Sequence, residues 1–330
     1  MKVTVLSGGV GGARFTRGLL AHLGVRLPDG AGGTKAQVTV VANTGDDLWL
    51  HGVRVCPDLD TLMYTLGGAV HEQQGWGRAG ETGRTAADLS AYDVGSNWFT
   101  LGDLDLATHL ARTQLLREGL PLSQVTEHLC QRWRPGVRLL PMSDQEVETH
   151  VVVEGPDGRE RLLHFEEWWV RHHAALPARR FVQVGLDRAS AAPGVVAALL
   201  EADVVVLPPS NPVVSVGTIL AVPGIRAALA ATAAPVVGIS PIVGGSAVRG
   251  MADQCLRAIG VATSAAAVAR HYGRRAQGGV LDAWLVDTVD SGAAADLNAA
   301  GWHVGVTPTL MTDAPTTARI AAAALALVLR

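Results

Sequence analysis

Met1–Gly12 reads MKVTVLSGGVGG, a β-branched run followed at once by the glycine-rich loop Ser7-Gly8-Gly9-Val10-Gly11-Gly12. A short apolar run of this kind fits a buried strand, and the segment after it predicts a helix over about Ala13–Leu23. Strand, glycine turn and helix in that order make an anion site, because the free N–H groups and the dipole of a helix start both favour phosphate. The same glycines also suit a tight helix–sheet packing turn without a ligand. The dinucleotide fingerprint G-x-G-x-x-G nearly fits from Gly9, but Arg14 stands where the third glycine belongs. No Gly-Lys-Ser/Thr follows, so a P-loop is excluded.

The same rhythm recurs outward from this start. Gln37–Ala42 reads as a second buried strand, ending in Asn43 rather than in the acidic residue a nicotinamide dinucleotide's ribose would need. Pro57 opens a helix that Gly67 and Gly68 end. From Val70 to Pro141 strand signals stop, and helical periodicity covers Asp105–Glu118 and Leu122–Trp133. His150–Glu154 and Arg161–Phe165 flank Gly155-Pro156-Asp157-Gly158, a hairpin signal. Strands are then expected at Phe181–Val184, Val204–Leu207, Val236–Ile239, Trp284–Val286 and His303–Val306. Helices are expected between them, among them Val195–Glu201, Ala247–Ile259 and Ser264–Tyr272. These alternations predict an α/β fold: a doubly wound, mostly parallel Rossmann-like sheet with a largely helical insertion. Residues 1–69 and 146–330 form the core in this reading, and residues 70–145 the insertion.

Composition narrows the function classes. Of 330 residues, 48% are hydrophobic and 17% charged, enough for a sizeable core, and the net charge of -3 argues against a broad nucleic-acid or anionic-membrane surface. Cys56, Cys130 and Cys255 lie far apart without a C-x-x-C spacing, which fits buried or half-buried thiols in a reducing cytoplasm. No signal peptide is read at the N-terminus. The apolar run Ile320–Leu329 is about half a membrane span and reads as a closing helix.

Four polar or glycine-rich loops each follow a buried strand: Ser7–Gly12, Asn43–Asp47, Pro208–Asn211 and Ser240–Gly245. In an open parallel sheet they converge on the carboxyl edge, where ligands bind. Asn43-Thr44-Gly45-Asp46-Asp47 and Cys56-Pro57-Asp58-Leu59-Asp60 put four carboxylates near any phosphate held by Gly8, Gly9, Gly11 and Gly12. Mg²⁺ commonly takes one or two carboxylates plus phosphate oxygens, so the cluster implies a metal, with Asp46, Asp58 and Asp60 as ligands. Asp58 also suits a helix cap. Ser210 and Asn211, in a proline-stiffened loop, suit ribose, base or phosphate. Gly244 and Arg249 belong to a segment read as opening a helix at Ser240 and are placed on the guanosine and phosphate side; Arg249 and Asp253 there could meet phosphate and guanine, or form an exposed i,i+4 pair. Trp98, beside Asn97, suits a flat aromatic ligand or a local core with Phe99. His109 reads as a satisfied polar residue, and no Ser/His/Asp arrangement is present.

Taken in series, SGGVGGARF, NTGDD, CPDLDTLMYTLGG, NWFTLGDLDLATHLARTQLL, LLPMSDQEVETHV, HFEEWWVR, PPSNPVVSVGTIL and GISPIVGG…RGMADQCL resemble the CofD/FbiA family, most nearly its actinobacterial FbiA branch. The resemblance covers nearly the whole chain. It implies a cytoplasmic, homodimeric, Mg²⁺-dependent transferase of coenzyme F420 biosynthesis. Such an enzyme moves a phospho-acid from a guanosine diphosphate conjugate to the ribityl hydroxyl of the deazaflavin Fo, and GMP leaves. The acid is 2-phospho-L-lactate in the archaeal branch and phosphoenolpyruvate in the actinobacterial one. The implied metal ligands are Asp46 or Asp47 and Asp60. The glycine and Ser-Asn-Pro loops fall on the nucleotide side, and Asn97-Trp98 on the Fo side. Asp46 or Asp47 would orient or deprotonate the Fo hydroxyl. One departure concerns Glu81-Thr82, followed here by Gly83-Arg84 where the family has an aromatic residue. A nucleotide-sugar-binding regulator of the gluconeogenesis-factor type shares the start and the NTGDD-like segment, but not the LGDLDLATH run. An NAD-dependent oxidoreductase is disfavoured by Arg14 and Asn43.

Overall fold

The computed structural model describes residues 1–93 and 98–329, so Asn97 lies outside the described residues. β1 (Lys2–Ser7) runs through the glycine loop into α1 (Val10–Arg26), and β2 (Gln37–Ala42) returns beside it. A hairpin of β3 (Leu48–Leu50) and β4 (Val53–Val55) leads to α2 (Pro57–Leu66). Then come α3 (Arg84–Ala91), α4 (Asp103–Arg117), α5 (Leu122–Trp133) and β5 (Arg138–Pro141). They are followed by β6 (Glu148–Glu154), β7 (Glu160–His164), β8 (Ala178–Val184), α6 (Val195–Leu200) and β9 (Val204–Leu207). α7 (Val216–Ala221), α8 (Ile225–Ala231) and β10 (Val236–Ile239) precede a hairpin of β11 (Ile242–Val243) and β12 (Ser246–Ala247). The chain closes with α9 (Ala252–Ala258), α10 (Ala265–Tyr272), β13 (Ala283–Val286), α11 (Ser291–Ala299), β14 (Val304–Val306) and α12 (Ala314–Ala326).

Seven strands form one parallel sheet in the order β14-β13-β10-β9-β1-β2-β5. Its strands are continuous apolar runs because both faces are covered. Val3, Val5, Val40 and Val206 point into a core with Phe15 and Leu19 of α1, Leu62 of α2 and Ile320 of α12. Leu6, Val41, Val205 and Leu207 point the other way, against Val195, Ile219, Ile225 and Val268. Each such valine or leucine removed from water contributes about 1.5–3 kcal/mol of transfer free energy. α12 is the expected closing helix. It lies against α1 closely enough that a Cβ built on Gly18 would sit 2.4 Å from Thr317 Cγ2. Among the described residues no helix is long and apolar enough to cross a membrane.

Several expectations need correction. Arg138–Pro141 falls in the stretch read as devoid of strands, yet it pairs in parallel with β2 as the sheet's edge. Four residues ending in proline carry too little periodicity to announce a strand. Phe181–Val184 is the end of β8, which joins the predicted β6–β7 hairpin in a separate antiparallel sheet, β7-β6-β8. The segment from Ser240 opens a hairpin rather than a helix: Gly244 (φ 57°) and Gly245 (φ 81°) both adopt the positive φ of a tight hairpin turn. The helix expected from Ala247 therefore begins only at Ala252. Asp58 is not a helix cap, since Cys56 occupies that place and Pro57 begins α2.

The sheet order reverses at β1, from which one arm runs through β2 to β5 and the other through β9 to β14. Beyond the carboxyl ends of β1 and β9 lies the crevice where open α/β sheets hold ligands. The four loops singled out in the sequence follow β2, β1, β9 and β10, which are neighbours in the sheet.

Candidate active site

The glycine loop is built by close approach. Gly8 N–H donates to Ser210 Oγ at 3.1 Å, tying the loop after β1 to the loop after β9. A Cβ on Gly11 would lie 2.6 Å from the Pro209 carbonyl oxygen, so only glycine lets these backbones touch. Gly9 caps α1 without a side chain, and the Asp58 carboxylate packs against it, so that a Cβ on Gly9 would lie 2.4 Å from Asp58 Oδ1. The first intrahelical bond is Ala13 N–H to Gly9 C=O at 2.8 Å. The N–H groups of Val10, Gly11 and Gly12, in the first turn, have no helical acceptor and face the crevice with the positive end of the dipole.

Beside this loop lies a pocket of carboxylates. Asn43, fully buried, donates from Nδ2 to Asp58 Oδ2 at 3.0 Å and accepts Gly45 N–H at Oδ1 at 2.9 Å. Its amide is thus used within the protein, and the place of a ribose-binding acid is filled by a structural side chain. Asp46 is 5% exposed and Asp47 1%; Asp46 Oδ1 and both Asp47 oxygens have no hydrogen-bond partner. Glu166, 4% exposed, enters from the end of β7. Its N–H donates to His164 Nδ1 at 3.1 Å, while His164 Nε2 lies 3.3 Å from the Asp47 carbonyl oxygen.

Burial drives all four acids upward. Burial first, then Asp58, Glu166 and Asp47, holds the Asp46 carboxyl well above the usual range. Burial pushes Asp47 to about 7, against the pull of Arg54. It pushes Asp58 to about 6, although Asn43 and the Gly9 N–H favour its charged form. Glu166 rises to about 8 through burial and the charges of Asp58 and Asp47. Arg54 Nη2, 3.9 Å from Asp47 Oδ2, is the ion-pair partner of this pocket. Four acids that raise one another in this way outnumber the cations beside them, and hard oxygen donors fit a divalent cation.

A measurable consequence follows from the sign of these shifts. A carboxyl whose folded pKa exceeds its unfolded value contributes stability below about pH 4, and that contribution is lost as pH rises through its folded pKa, here about 6 to 8. A cation reverses the preference by favouring the charged forms. Mg²⁺ is therefore expected to raise Tm more at about pH 8 than at about pH 5.5, as read by thermal melts with and without the ion. An equal or smaller rise at the higher pH would contradict the assignment.

Asp60 lies apart from this pocket. Two residues beyond Asp58 on a helix, it points roughly 200° away. Its Oδ1 accepts from Arg112 Nη2, and its Oδ2 lies 3.6 Å from His109 Nδ1. His109 Nε2 lies 3.4 Å from Asp105 Oδ2, and Tyr64 donates to Asp105 Oδ1 at 2.5 Å. Asp60, Asp105 and His109 offer ligand atoms all within 4.8 Å of one another, which makes them a possible metal-ligand group. Arg112, buried beside them, already supplies positive charge there, whereas the acids around Asp46 have far less.

The remaining candidates divide. Asn211 Oδ1 accepts the N–H groups of Val213 (2.9 Å) and Val214 (3.2 Å), so its side chain shapes its own loop. Gly244 N–H donates to Asp290 Oδ2 at 3.1 Å. Arg249 does not pair with Asp253, whose partner is Arg257 at 3.4 Å; it reaches the carbonyls of Gln73 and Gln74. Trp98 is half-buried in a small cluster with Phe99, Leu101 and the β3–β4 hairpin that follows Asp47, so the insertion packs against that hairpin. Glu81 Oε1 and Oε2 accept the N–H groups of Leu104 (2.7 Å) and Asp105 (3.0 Å), and Thr82 Oγ1 donates to Asp103 Oδ2 at 2.5 Å. The departing segment therefore braces the starts of α3 and α4. Sequence reasoning missed Glu166, Arg54 and His164. The available signal for Glu166 was a pair of adjacent glutamates, Glu166 and Glu167, set between Phe165 and Trp168.

The family model for 2-phospho-L-lactate transferase CofD matches residues 3–304. The chain belongs to this CofD family. Relatives named phosphoenolpyruvate transferase bear this out. One from Streptomyces griseus is 57% identical over 327 residues, covering 99% of this chain and 98% of that one. One from Thermobifida fusca is 57% identical over 329 residues, covering 100% and 98%. One from a Mycobacterium species (strain KMS) is 56% identical over 331 residues, covering 99% and 98%. The resemblance read from the motifs thus holds, and the chain is an enzyme of the transferase class. Among solved structures, a UPF0052 family protein from Bacillus halodurans superposes with a TM-score of 0.61 at 18% identity, covering 98% of this chain and 99% of that one. At that identity the likeness concerns the α/β fold alone.

Proposed function

We propose that this CofD-family enzyme transfers a phosphoenolpyruvyl group from a guanosine diphosphate conjugate to the ribityl hydroxyl of Fo. The acceptor oxygen attacks the phosphorus that bears the enolpyruvyl group. The bond from that phosphorus to the bridging oxygen breaks, GMP departs with the electron pair, and the hydroxyl proton passes to a base. The observation that carries this reading is the close approach at Gly9: a Cβ there would lie 2.4 Å from Asp58 Oδ1, so the glycine loop and the acid pocket adjoin as one site.

Phosphoryl transfer of this kind asks for positioning and charge neutralisation more than for a nucleophile. The N–H groups of Val10–Gly12 bind diphosphate oxygens. Asp46 and Asp58, with Glu166 behind them, hold Mg²⁺ in preference to Asp60. The ion, when bound, supplies positive charge against the diphosphate. Asp47, with a pKa of about 7 and both oxygens unpartnered, orients the acceptor hydroxyl and takes its proton. Trp98 lies against the deazaflavin ring. The names of the relatives favour the enolpyruvyl donor over the lactyl one. A homodimer completes the reading, with light scattering expected to give twice the 34.4 kDa of one chain.

The test is mass spectrometry of products formed from Fo, Mg²⁺ and either the enolpyruvyl or the lactyl guanosine donor. The enolpyruvyl phosphodiester of Fo is expected, with GMP in equal amount. A product from the lactyl donor alone would overturn the donor assignment, and none from either would overturn the reaction.

A further inference from the structure

We propose that Arg14 and Arg249 together form an oxyanion receptor for the donor, an inference that rests on the transfer reading above. Arg14 stands on α1 one turn past its start, and Arg249 on the loop after the β11–β12 hairpin. Gly75, in the segment after α2, brings them together. A Cβ built on Gly75 would lie 2.9 Å from Arg249 Nη1, 3.4 Å from Arg14 Nη2 and 2.9 Å from Val10 Cγ1. Both guanidinium groups therefore flank the first turn of α1, whose N–H groups face the crevice.

The local charge is out of balance. Arg14 and Arg17 share a single acid, Glu72, and Arg249 adds a third positive charge beside Arg14. Arg17 takes that acid with two contacts, Nη1–Oε1 at 2.6 Å and Nη2–Oε2 at 3.3 Å. Arg14 reaches only the Glu72 carbonyl, at 3.2 Å. Arg249 reaches only the carbonyls of Gln73 (3.3 Å) and Gln74 (2.7 Å), with its guanidinium 5.7 Å from the Trp76 ring. Each guanidinium has five N–H donors, so both keep donors free. Burial, then the charges of Arg249 and Arg17, pull the Arg14 pKa down against the opposing pull of Glu72, as expected where cations outnumber the anion among them. Two planar forks that converge on one point suit a phosphate or carboxylate. The acid pocket around Asp58 takes positive charge on one side of the glycine loop; this pair takes negative charge on the other.

The donor carries such oxyanions in two places: the phosphate that leaves in GMP, and the carboxylate of its acid arm. Arg14→Gln and Arg249→Gln are each compared with wild type by calorimetric titration of GMP and by the steady-state KM for the guanosine donor. A weakening of GMP by about tenfold or more in both variants supports the nucleotide phosphate as the bound group. An unchanged GMP affinity with a KM raised by about tenfold or more supports the carboxylate. Arg17→Gln, whose guanidinium is already held by Glu72, is the control and should change either quantity no more than about twofold. The receptor is overturned if Arg14→Gln and Arg249→Gln do no more than Arg17→Gln while all three bind Fo as wild type does. Should the wild type neither turn over nor bind GMP, the transfer reading fails. Pyrophosphate titration of the same variants then decides the arginine pair on its own.

Discussion

Asp58→Asn is expected to lower turnover by about a hundred- to a thousandfold while leaving the circular dichroism spectrum and the melting temperature near those of wild type. Asp58 Oδ2 accepts from Asn43 Nδ2, and its Oδ1 lies against the Gly9 backbone. A carboxylate offers an acceptor to each. A carboxamide must turn its NH₂ toward one of them, so a donor meets a donor in the middle of the site. The substitution also removes one of the negative charges that fit the pocket to a divalent cation. Because Asp58 is only half-buried, at the rim of the crevice, the fold has little to lose. Asp46→Asn should act in the same direction through the charge alone. Steady-state rates across a Mg²⁺ titration check both variants, and full activity in either would remove that residue from the site.

Arg112→Met is expected to do the opposite: to cost about 3–5 kcal/mol of folding stability, whatever becomes of catalysis. Arg112 is 1% exposed and carries the counter-charge for Asp60, which is 4% exposed. It also donates from Nη1 to the Arg54 carbonyl at 3.2 Å, so it ties α4 to the β3–β4 hairpin as well as to α2. Without it Asp60 is a buried acid already pushed upward by burial, with Asp105 adding to the repulsion. Urea unfolding gives the measurement. The double variant Arg112→Met with Asp60→Leu should recover part of the loss, because removing both charges is milder than stranding one. A single variant within about 1 kcal/mol of wild type would show the network to be dispensable.

These opposite expectations for Asp58 and Asp60 mark where sequence reading reached its limit. Four acids within fifteen residues were legible as a cluster, because their spacing sits at the ends of apolar runs. Which of them share a pocket was not, because that depends on the rotation of α2 and on what packs against each of its faces. Only the positions of α4 and β7 reveal that Asp60 turns to Arg112 and His109 while Asp58 turns to Gly9 and Asn43. The parallel sheet was legible for a simple reason: strands covered on both faces are unbroken apolar runs, as Val204–Leu207 and Val236–Ile239 are. β5, of the same length, opens on the exposed Arg138 and ends in a proline, and β8 carries exposed polar residues that gave no hint of its antiparallel partners. The two-glycine turn at Gly244-Gly245 looked like a loop feeding a helix because periodicity after it is strong. A hairpin of two residues per strand leaves almost no trace in a sequence.

Glu166 has a consequence for how the protein matures. It is carried to Asp46 and Asp58 by the antiparallel sheet, with His164 latching that sheet to the Asp47 backbone. A chain emerging from the ribosome exposes the glycine loop first and the Asp46–Asp60 acids soon after. It must then lengthen by about a hundred residues before the last acid arrives, several seconds of synthesis at roughly 5–20 residues per second. Throughout that interval the ion pocket of the proposed reading is unfinished, and so is the glycine loop, whose partner Ser210 is made later still. On the proposed reading, metal-assisted nucleotide binding therefore belongs to a chain that has been made well past Glu166.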